Sequence, residues 1–254
     1  MKIQLRDAKR AAILFAVVAA TLAAARPARA QDSGDGFRFG RPSGSWSLRG
    51  GFAMPSAGSD VFSFTSTTFT VNRSDFRSFD YGADLAFTIS PRLDIVLDIA
   101  HSGTVRGSEY RAFEDNNHLP IQQNTTFQRT PVTVNARYYL TPRGRQIGRY
   151  AWVPITLVPY VGAGVGAMNY GFDQTGDFID FTTLAVGPDA LHSTGWAPMA
   201  QAFAGAEWSM GPGWALRTEA RYVTSSATMS SDYVGFQKID LSGFTTSVGF
   251  FVRF

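Results

Sequence analysis

The chain has 254 residues, a formal net charge of +3 and no cysteine, which excludes thiol chemistry and cysteine-ligated zinc. Its first 30 residues carry six Lys and Arg against one acid, so residues 31–254 hold 17 basic and 19 acidic side chains, a net charge of −2. The chain beyond residue 30 therefore has no electrostatic basis for a nucleic-acid partner.

Residues 1–30 have the three parts of a secretory signal peptide. Four Lys and Arg within residues 2–10 form a charged front, residues 11–25 form an apolar middle, and residues 28–30 are an A-x-A cleavage site. The apolar middle is shorter than the roughly 20 residues that a membrane-spanning helix needs. We therefore predict export and cleavage, followed by a short periplasmic leader at residues 31–44.

From residue 45 onward, apolar and polar residues alternate with the period of a β-strand. Eight strands are predicted, at residues 45–53, 77–89, 92–102, 130–140, 155–170, 195–208, 214–224 and 239–254. Their connections alternate between long and short, apart from a basic connection of intermediate length at residues 141–154. This layout is typical of a transmembrane barrel, which must close because an open sheet edge has no hydrogen-bond partners in lipid.

The last predicted strand carries the clearest pattern. Its outward face holds Phe244, Thr246, Val248, Phe250, Val252 and Phe254. A terminal Phe preceded by hydrophobic residues at alternate positions resembles the sorting and assembly signal of Gram-negative outer-membrane β-barrels.

This resemblance covers residues 45–254 and is to the OmpA-type transmembrane domain and the OmpX-type surface proteins. It implies an all-β fold, an eight-stranded antiparallel up-and-down transmembrane β-barrel, in the Gram-negative outer membrane. It also implies contact with outer-membrane lipid and lipopolysaccharide, and recognition by the barrel-assembly machinery through Phe254.

Aromatic residues on the predicted outward faces gather at two levels. Those at the short-turn end are Trp46, Phe87, Tyr138, Trp208, Trp214 and Phe254, and those near the other rim are Tyr81, Tyr222 and Phe244. Such belts are typical of barrels at the boundary between hydrocarbon and headgroups.

The predicted inward faces carry charges of both signs. The acids are Asp80, Asp84, Asp94, Asp98, Glu207 and Glu219, and the arginines are Arg49, Arg137, Arg217, Arg221 and Arg253. Because an eight-stranded bore is only wide enough for side chains, we expect these groups to pair as a structural plug rather than form an ion pathway. Gly162, Gly164 and Gly166 are expected to leave room inside for bulky neighbours.

No catalytic, cofactor-binding or metal-binding residue is predicted, and the chain is not expected to be an enzyme. Residues 162–167 match G-x-G-x-x-A but lie in a predicted strand, whereas a dinucleotide site needs a helix there. His101 and Ser102 resemble part of the H-x-S-N motif of outer-membrane lipid A deacylases. Adjacent strand residues point to opposite faces, however, and Gly103 has no hydroxyl. His118 and His192 are isolated in predicted loops.

Four long loops are predicted, at residues 54–76, 104–129, 171–194 and 225–238. We expect them to form a binding surface for an extracellular partner, since loops on a rigid scaffold commonly carry function. The Asp-rich third loop could instead bridge lipopolysaccharide through divalent cations. The aromatic residues available as anchors are Phe62, Phe64, Phe69, Tyr110, Phe113, Phe178 and Phe181.

Two alternative functions stay open. A narrow porin-like channel for small solutes or ions would need ten or more strands, which a hairpin at residues 61–71 would supply. A lipid-modifying outer-membrane enzyme would need a catalytic group that the sequence does not contain in a recognisable form.

Deleting Phe254 should impair assembly into the outer membrane far more than deleting residues 31–40, because only the first change alters the terminal strand and its signal. Heat-modifiable migration of outer-membrane fractions on gels measures the folded amount. Equal assembly of the two deletion variants would contradict the resemblance.

Overall fold

The computed structural model describes residues 36–115, 117–180, 183 and 185–254. The predicted signal peptide, the first residues of the predicted leader and the predicted anchor Phe181 lie outside these residues.

Eight long antiparallel strands pair in chain order, and the last closes on the first. They are β1 (Gly44–Pro55), β2 (Ser78–Ser90), β3 (Leu93–Glu114), β4 (Pro120–Tyr139), β5 (Leu157–Ile179), β6 (Val186–Ser209), β7 (Trp214–Ala227) and β8 (Gly243–Arg253). Pairing of β8 with β1 runs from Gly243 opposite Pro55 to Arg253 opposite Ser45. The predicted eight-stranded up-and-down barrel is confirmed, and the ten-stranded alternative is wrong.

The period of two in the sequence sorts the side chains of each strand between the outside and the bore. On β3, Leu97 and Ile99 are exposed while Asp94 and Asp98 are buried. The predicted aromatic residues also lie outside, since all of them are exposed except Trp46, which is half-buried. The barrel thus has an apolar exterior, and the strand residues that face its bore include buried charges. A water-soluble sandwich has the reverse arrangement, with polar residues outside and apolar residues inside.

One end of the barrel, the short-turn end, is made by the connections β2–β3, β4–β5 and β6–β7 together with the chain ends. Here the predicted basic connection forms two short strands, Gly144–Ile147 and Ala151–Pro154. Arg38–Phe39, in the predicted leader, adds a third strand to them. This three-stranded sheet covers the opening of the bore.

The opposite end, the long-hairpin end, differs from the sequence prediction at two loops. Residues 104–129 and 171–194 are mostly strand, because β3 and β4 pair as far as Glu114 opposite Pro120, and β5 and β6 as far as Ile179 opposite Val186. The pattern of apolar residues on the outer face ends at the rim of the barrel. Hydrogen bonding between the strands does not depend on these residues and continues beyond the rim. Two hairpins therefore project from the barrel.

The predicted hairpin at residues 61–71 is also wrong. The chain forms a helix there, α1 (Asp60–Thr68), followed by a 3-10 turn at Arg73–Phe76. Its Ser, Thr and Phe residues favour strands, and the hydroxyl of Thr65 donates to the Val61 carbonyl oxygen at 2.7 Å, a bond that competes with helix geometry. Packing of Val61, Phe62 and Thr65, all buried, overrides this propensity. No helix among the described residues is long and apolar enough to cross a membrane.

The inward glycines of β5 leave the space that the sequence predicts. A Cβ atom at Gly162 would overlap the ring of Phe203, and one at Gly164 would overlap the side chain of Asn135. On β6, a Cβ atom at Gly205 would overlap the Tyr160 hydroxyl. Small residues therefore stand beside large ones, and the bore packs closely.

Candidate functional site in the barrel interior

Charged side chains from most of the strands meet in the half of the bore nearer the short-turn end. Arg217 lies between Asp84 and Glu207, with a nitrogen-to-oxygen distance of 2.9 Å to each. Arg221 lies between Asp98 at 2.9 Å and Glu219 at 2.7 Å. We call these residues, with their neighbours Arg49 and Arg137, the ion-pair layer. The predicted pairing of inward acids with inward arginines is confirmed for Asp84, Asp98, Glu207 and Glu219.

Further polar contacts join this layer to the short-turn end. Arg143, in the connection after β4, reaches Asp94 at 2.9 Å. The hydroxyl oxygen of Tyr139 lies 2.9 Å from Asp94 and 3.0 Å from Glu207, and its one proton is donated to one of these two carboxylates at a time. Arg253 lies 3.9 Å from Glu207. The network is thus continuous from the middle of the bore to its opening at the short-turn end.

Aromatic rings fill the space between the guanidinium groups. The Arg217 guanidinium carbon lies 4.6 Å from the centre of the Phe251 ring, and that of Arg221 lies 5.3 Å from the Phe203 ring. A cavity of about 10 Å³ remains beside Arg49 and Asp84, enough for about one water molecule. Side chains therefore occupy nearly the whole cross-section at this level.

Asp80 is the inward acid that does not join the ion-pair layer. It is buried on β2, and within the described part of the chain it forms none of the ion pairs. Its Oδ1 has no hydrogen-bond partner there. The alternation in the sequence predicts correctly that Asp80 faces the bore. It does not predict that Asp80 stays outside the ion pairs.

The half of the bore nearer the long-hairpin end is filled largely by a cluster of buried apolar side chains. The ring of Phe62 on α1 is fully buried, with its centroid 5.0 Å from Phe76, 5.2 Å from Phe127 and 5.5 Å from Phe172. Since Phe127 belongs to β4 and Phe172 to β5, α1 reaches across the mouth of the barrel. We call α1 and the residues around Phe62 the apolar plug.

The apolar plug changes the role of several predicted aromatic anchors. Phe62, Phe69 and Tyr110 are buried in it and offer no surface for a partner. Phe64 and Phe113 are exposed, and Phe178 is half-buried. The expectation that all of these rings serve as surface anchors is therefore wrong.

Arg129, which the sequence interpretation assigned to a loop, and Arg253, which it assigned to the inward face of the last strand, help to close the two ends of the bore. Nη1 of Arg129 donates to the Leu241 carbonyl oxygen at 2.9 Å and so holds the segment before β8 over the bore. At the other end, Trp152 is buried and its ring centre lies 5.6 Å from the Arg253 guanidinium carbon. Arg129 has the same strand parity as Arg137, so extending the predicted fourth strand by one residue would have placed it inside.

Among the described residues, the histidines form no catalytic arrangement with neighbouring hydroxyls. Nδ1 of His101 lies 2.9 Å from Thr130 Oγ1 on the outer face, whereas Ser102 is buried inside, as the strand period predicts. Nδ1 of His192 lies 2.9 Å from Asp173. Residues 162–167 lie within β5. In the described part of the chain, no three His, Asp or Glu side chains converge on a potential metal site.

Arg217→Ala should lower the free energy of unfolding of the refolded barrel by about 3 to 5 kcal/mol, because it leaves Asp84 and Glu207 buried with a missing partner. Urea titration followed by tryptophan fluorescence measures this. Adding Glu207→Gln should recover part of the loss, and Arg145→Ala, at an exposed position, should have little effect. Similar losses for Arg217→Ala and Arg145→Ala would contradict the ion-pair layer.

No family model matches the sequence, and no curated protein matches it. Among solved structures, Neisserial surface protein A is 12% identical and covers 83% of this chain and 96% of its own, with a TM-score of 0.46. Ail, the attachment invasion locus protein of Yersinia pestis, is 13% identical and covers 84% and 99%, with a TM-score of 0.44. Escherichia coli outer membrane protein W is 14% identical and covers 85% and 100%, with a TM-score of 0.39. These values carry no inference about function. The expected likeness to small outer-membrane β-barrels is one of fold, and the ring of eight strands is its basis.

Proposed function

We propose that this protein is an outer-membrane β-barrel with a closed bore, which presents its projecting hairpins as a recognition surface outside the cell. The observation that supports this most directly is the outer face of the barrel. Among the described strand residues, the outward positions in 46–54, 79–87, 93–101, 130–138, 157–169, 196–208, 214–226 and 244–254 carry no Lys, Arg, Asp or Glu. We call this surface the apolar belt.

The apolar belt has the height and the edges that a bilayer requires. On each of β1 to β4 it extends over nine residues, about the length with which a tilted strand crosses the hydrocarbon core. Exposed Trp208 and Trp214 stand at the short-turn end, and Tyr81 and Tyr222 near the other rim. Aromatic residues prefer these two boundaries because their rings are amphipathic.

The closed bore argues against the alternative of a solute channel. A solute would have to displace the apolar plug, separate the ion pairs of Arg217 and Arg221, and pass the three-stranded sheet to which Trp152 belongs. Separating a buried ion pair leaves unpaired charges at a cost of about 3 to 5 kcal/mol for each pair. The interior is better suited to stabilising the barrel than to transport.

The projecting hairpins provide the surface for recognition. β4 and β5 remain paired as far as Gln123 opposite Gly176, so the two hairpins form one four-stranded sheet beyond the apolar belt. At the first tip, the backbone N–H groups of Leu119 and Asn117 donate to Asp115, which lowers the pKa of that carboxyl group and fixes the turn. A rigid platform of this kind loses little entropy on binding.

Thr218→Arg tests the membrane assignment. Thr218 faces outward on β7, midway between Trp214 and Tyr222, and a charge at mid-bilayer should lower the free energy of unfolding in lipid vesicles by about 2 to 4 kcal/mol. The matched control is Thr224→Arg, on the same face of the same strand but nearer the rim, where about 0 to 1 kcal/mol is expected. Equal effects, or a protein that stays soluble without detergent, would refute the assignment.

Planar-bilayer recording tests the closed bore. The refolded protein should give no stepwise conductance. Replacing residues 60–68 with a Gly-Ser linker should not open it, because the ion-pair layer remains below the apolar plug. Steady conductance of the unmodified protein would favour a narrow channel instead.

A further inference from the structure

A row of hydrogen-bonding side chains crosses five strands of the outer face. It consists of Tyr81, His101, Thr130, Asn169 and Trp196, on β2 to β6 in that order. The backbone register places Tyr81 opposite His101, Thr130 opposite Asn169, and Asn169 opposite Trp196, and the bond from His101 to Thr130 joins the two halves. Because barrel strands are tilted, the row rises obliquely along the surface. We call it the upper polar row.

The upper polar row lies where the outer face changes from apolar to polar. Two positions toward the short-turn end, the outward residues on β3 to β6 are Ile99, Val132, Ala167 and Pro198. Two positions toward the long-hairpin end, the outward residues on the same strands are Gly103, Gln128, Gly171 and Thr194. In the proposed orientation, acyl chains contact the first group and headgroups contact the second.

Several groups in the upper polar row are open to a ligand. Trp196 is 63% exposed and Tyr81 is 47% exposed. His101 uses Nδ1 for Thr130, and Asn169 uses Nδ2 for the Gly195 carbonyl oxygen, so the other polar atom of each side chain is available. A Cβ atom at Gly103 would lie 3.5 Å from His101 Nε2, so the glycine leaves the imidazole accessible from above.

The charge around the row favours an uncharged headgroup. Within the described strands, no Lys or Arg occurs at the outward positions of 79–87, 93–105, 124–138, 157–175 and 190–208. The carboxylate nearest in register, Asp173, is already paired with His192 at 2.9 Å. A phosphate group beside His101 and Asn169 would therefore lack arginine or lysine partners, since the first arginine with outward parity is Arg77, four positions beyond Tyr81. Sugar hydroxyls, in contrast, match an imidazole, an amide, a hydroxyl and two aromatic faces.

We propose that the upper polar row binds the sugar headgroup of a glycolipid anchored in the outer leaflet. The row is continuous with the apolar belt, so the acyl chains of the same lipid can lie over Ile99 and Val132 while its sugar contacts His101 and Asn169. Trp196 provides a stacking face at the upper end. This inference rests on the proposed membrane insertion and adds to it a class of lipid and a location.

Native mass spectrometry of the full mature chain, released from nanodiscs that contain equal amounts of phosphatidylcholine, phosphatidylglycerol and lactosylceramide, tests the proposal. The protein should retain lactosylceramide in preference to phosphatidylglycerol. In His101→Leu/Asn169→Leu, retention should fall by about fivefold or more, the effect of losing one or two ordinary hydrogen bonds. Trp196→Leu, at an exposed position, provides a second variant that does not depend on the folding of the first.

Thr224→Val, on the outer face of β7 outside the row, is the matched control and should retain lactosylceramide as the unmodified protein does. Equal retention of the two lipids, or unchanged retention in both row variants, overturns the proposal. Free lactose should give no adduct at the same concentration, and an equal adduct would overturn the choice of a membrane-anchored ligand. Heat-modifiable migration on gels shows whether the chain has folded and inserted, and so distinguishes failure of the proposed function from failure of the upper polar row alone. A chain that does not insert refutes the proposed function as well, whereas an inserted barrel without a glycolipid preference refutes only the row.

Discussion

The pairing of β8 with β1 is the constraint on which the rest of the structure depends. It gives hydrogen-bond partners to two strand edges that would have none in lipid. It also requires close contact, since a Cβ atom at Gly51 on β1 would overlap the Thr246 carbonyl oxygen on β8. Once the ring is closed, every second side chain points into a narrow bore, and the sequence has to fill that bore without voids.

The two halves of the bore meet this requirement with different chemistry. In the half nearer the short-turn end, the strands themselves supply acids and arginines, and several of these charges are shared, as Asp84 is among Arg49, Arg137 and Arg217. Such a network offsets the desolvation of its members and favours one register of the strands. In the other half, the filling comes from another segment, because α1 brings Phe62 into a cluster of rings. Burial of apolar area stabilises this part.

Much of this architecture could be predicted from the sequence, because a period of two has only one structural explanation. The faces of Asp98, Arg217 and Phe251 follow from parity alone. The ion-pair partners do not follow from parity, since whether an arginine meets Asp84 or Asp98 depends on the tilt and stagger of the strands. The length of the hairpins was underestimated because the apolar signal stops at the rim while hydrogen bonding continues. The helix at Asp60–Thr68 could not be predicted locally, since its residues favour a strand and distant contacts, such as those of Phe62 with β4 and β5, override this preference.

The position of α1 in the chain has a consequence for the order in which the protein folds. The helix lies between β1 and β2, yet Phe62 packs against Phe127 and Phe172 on strands that are synthesised much later. The bond from Arg129 to Leu241 that covers the same region joins residues 112 positions apart. Contacts of such separation form slowly because they follow the closure of long loops. Until β5 is in place, Phe62 therefore lacks part of the surface that buries it, and the exposed part of its ring makes early intermediates prone to aggregation.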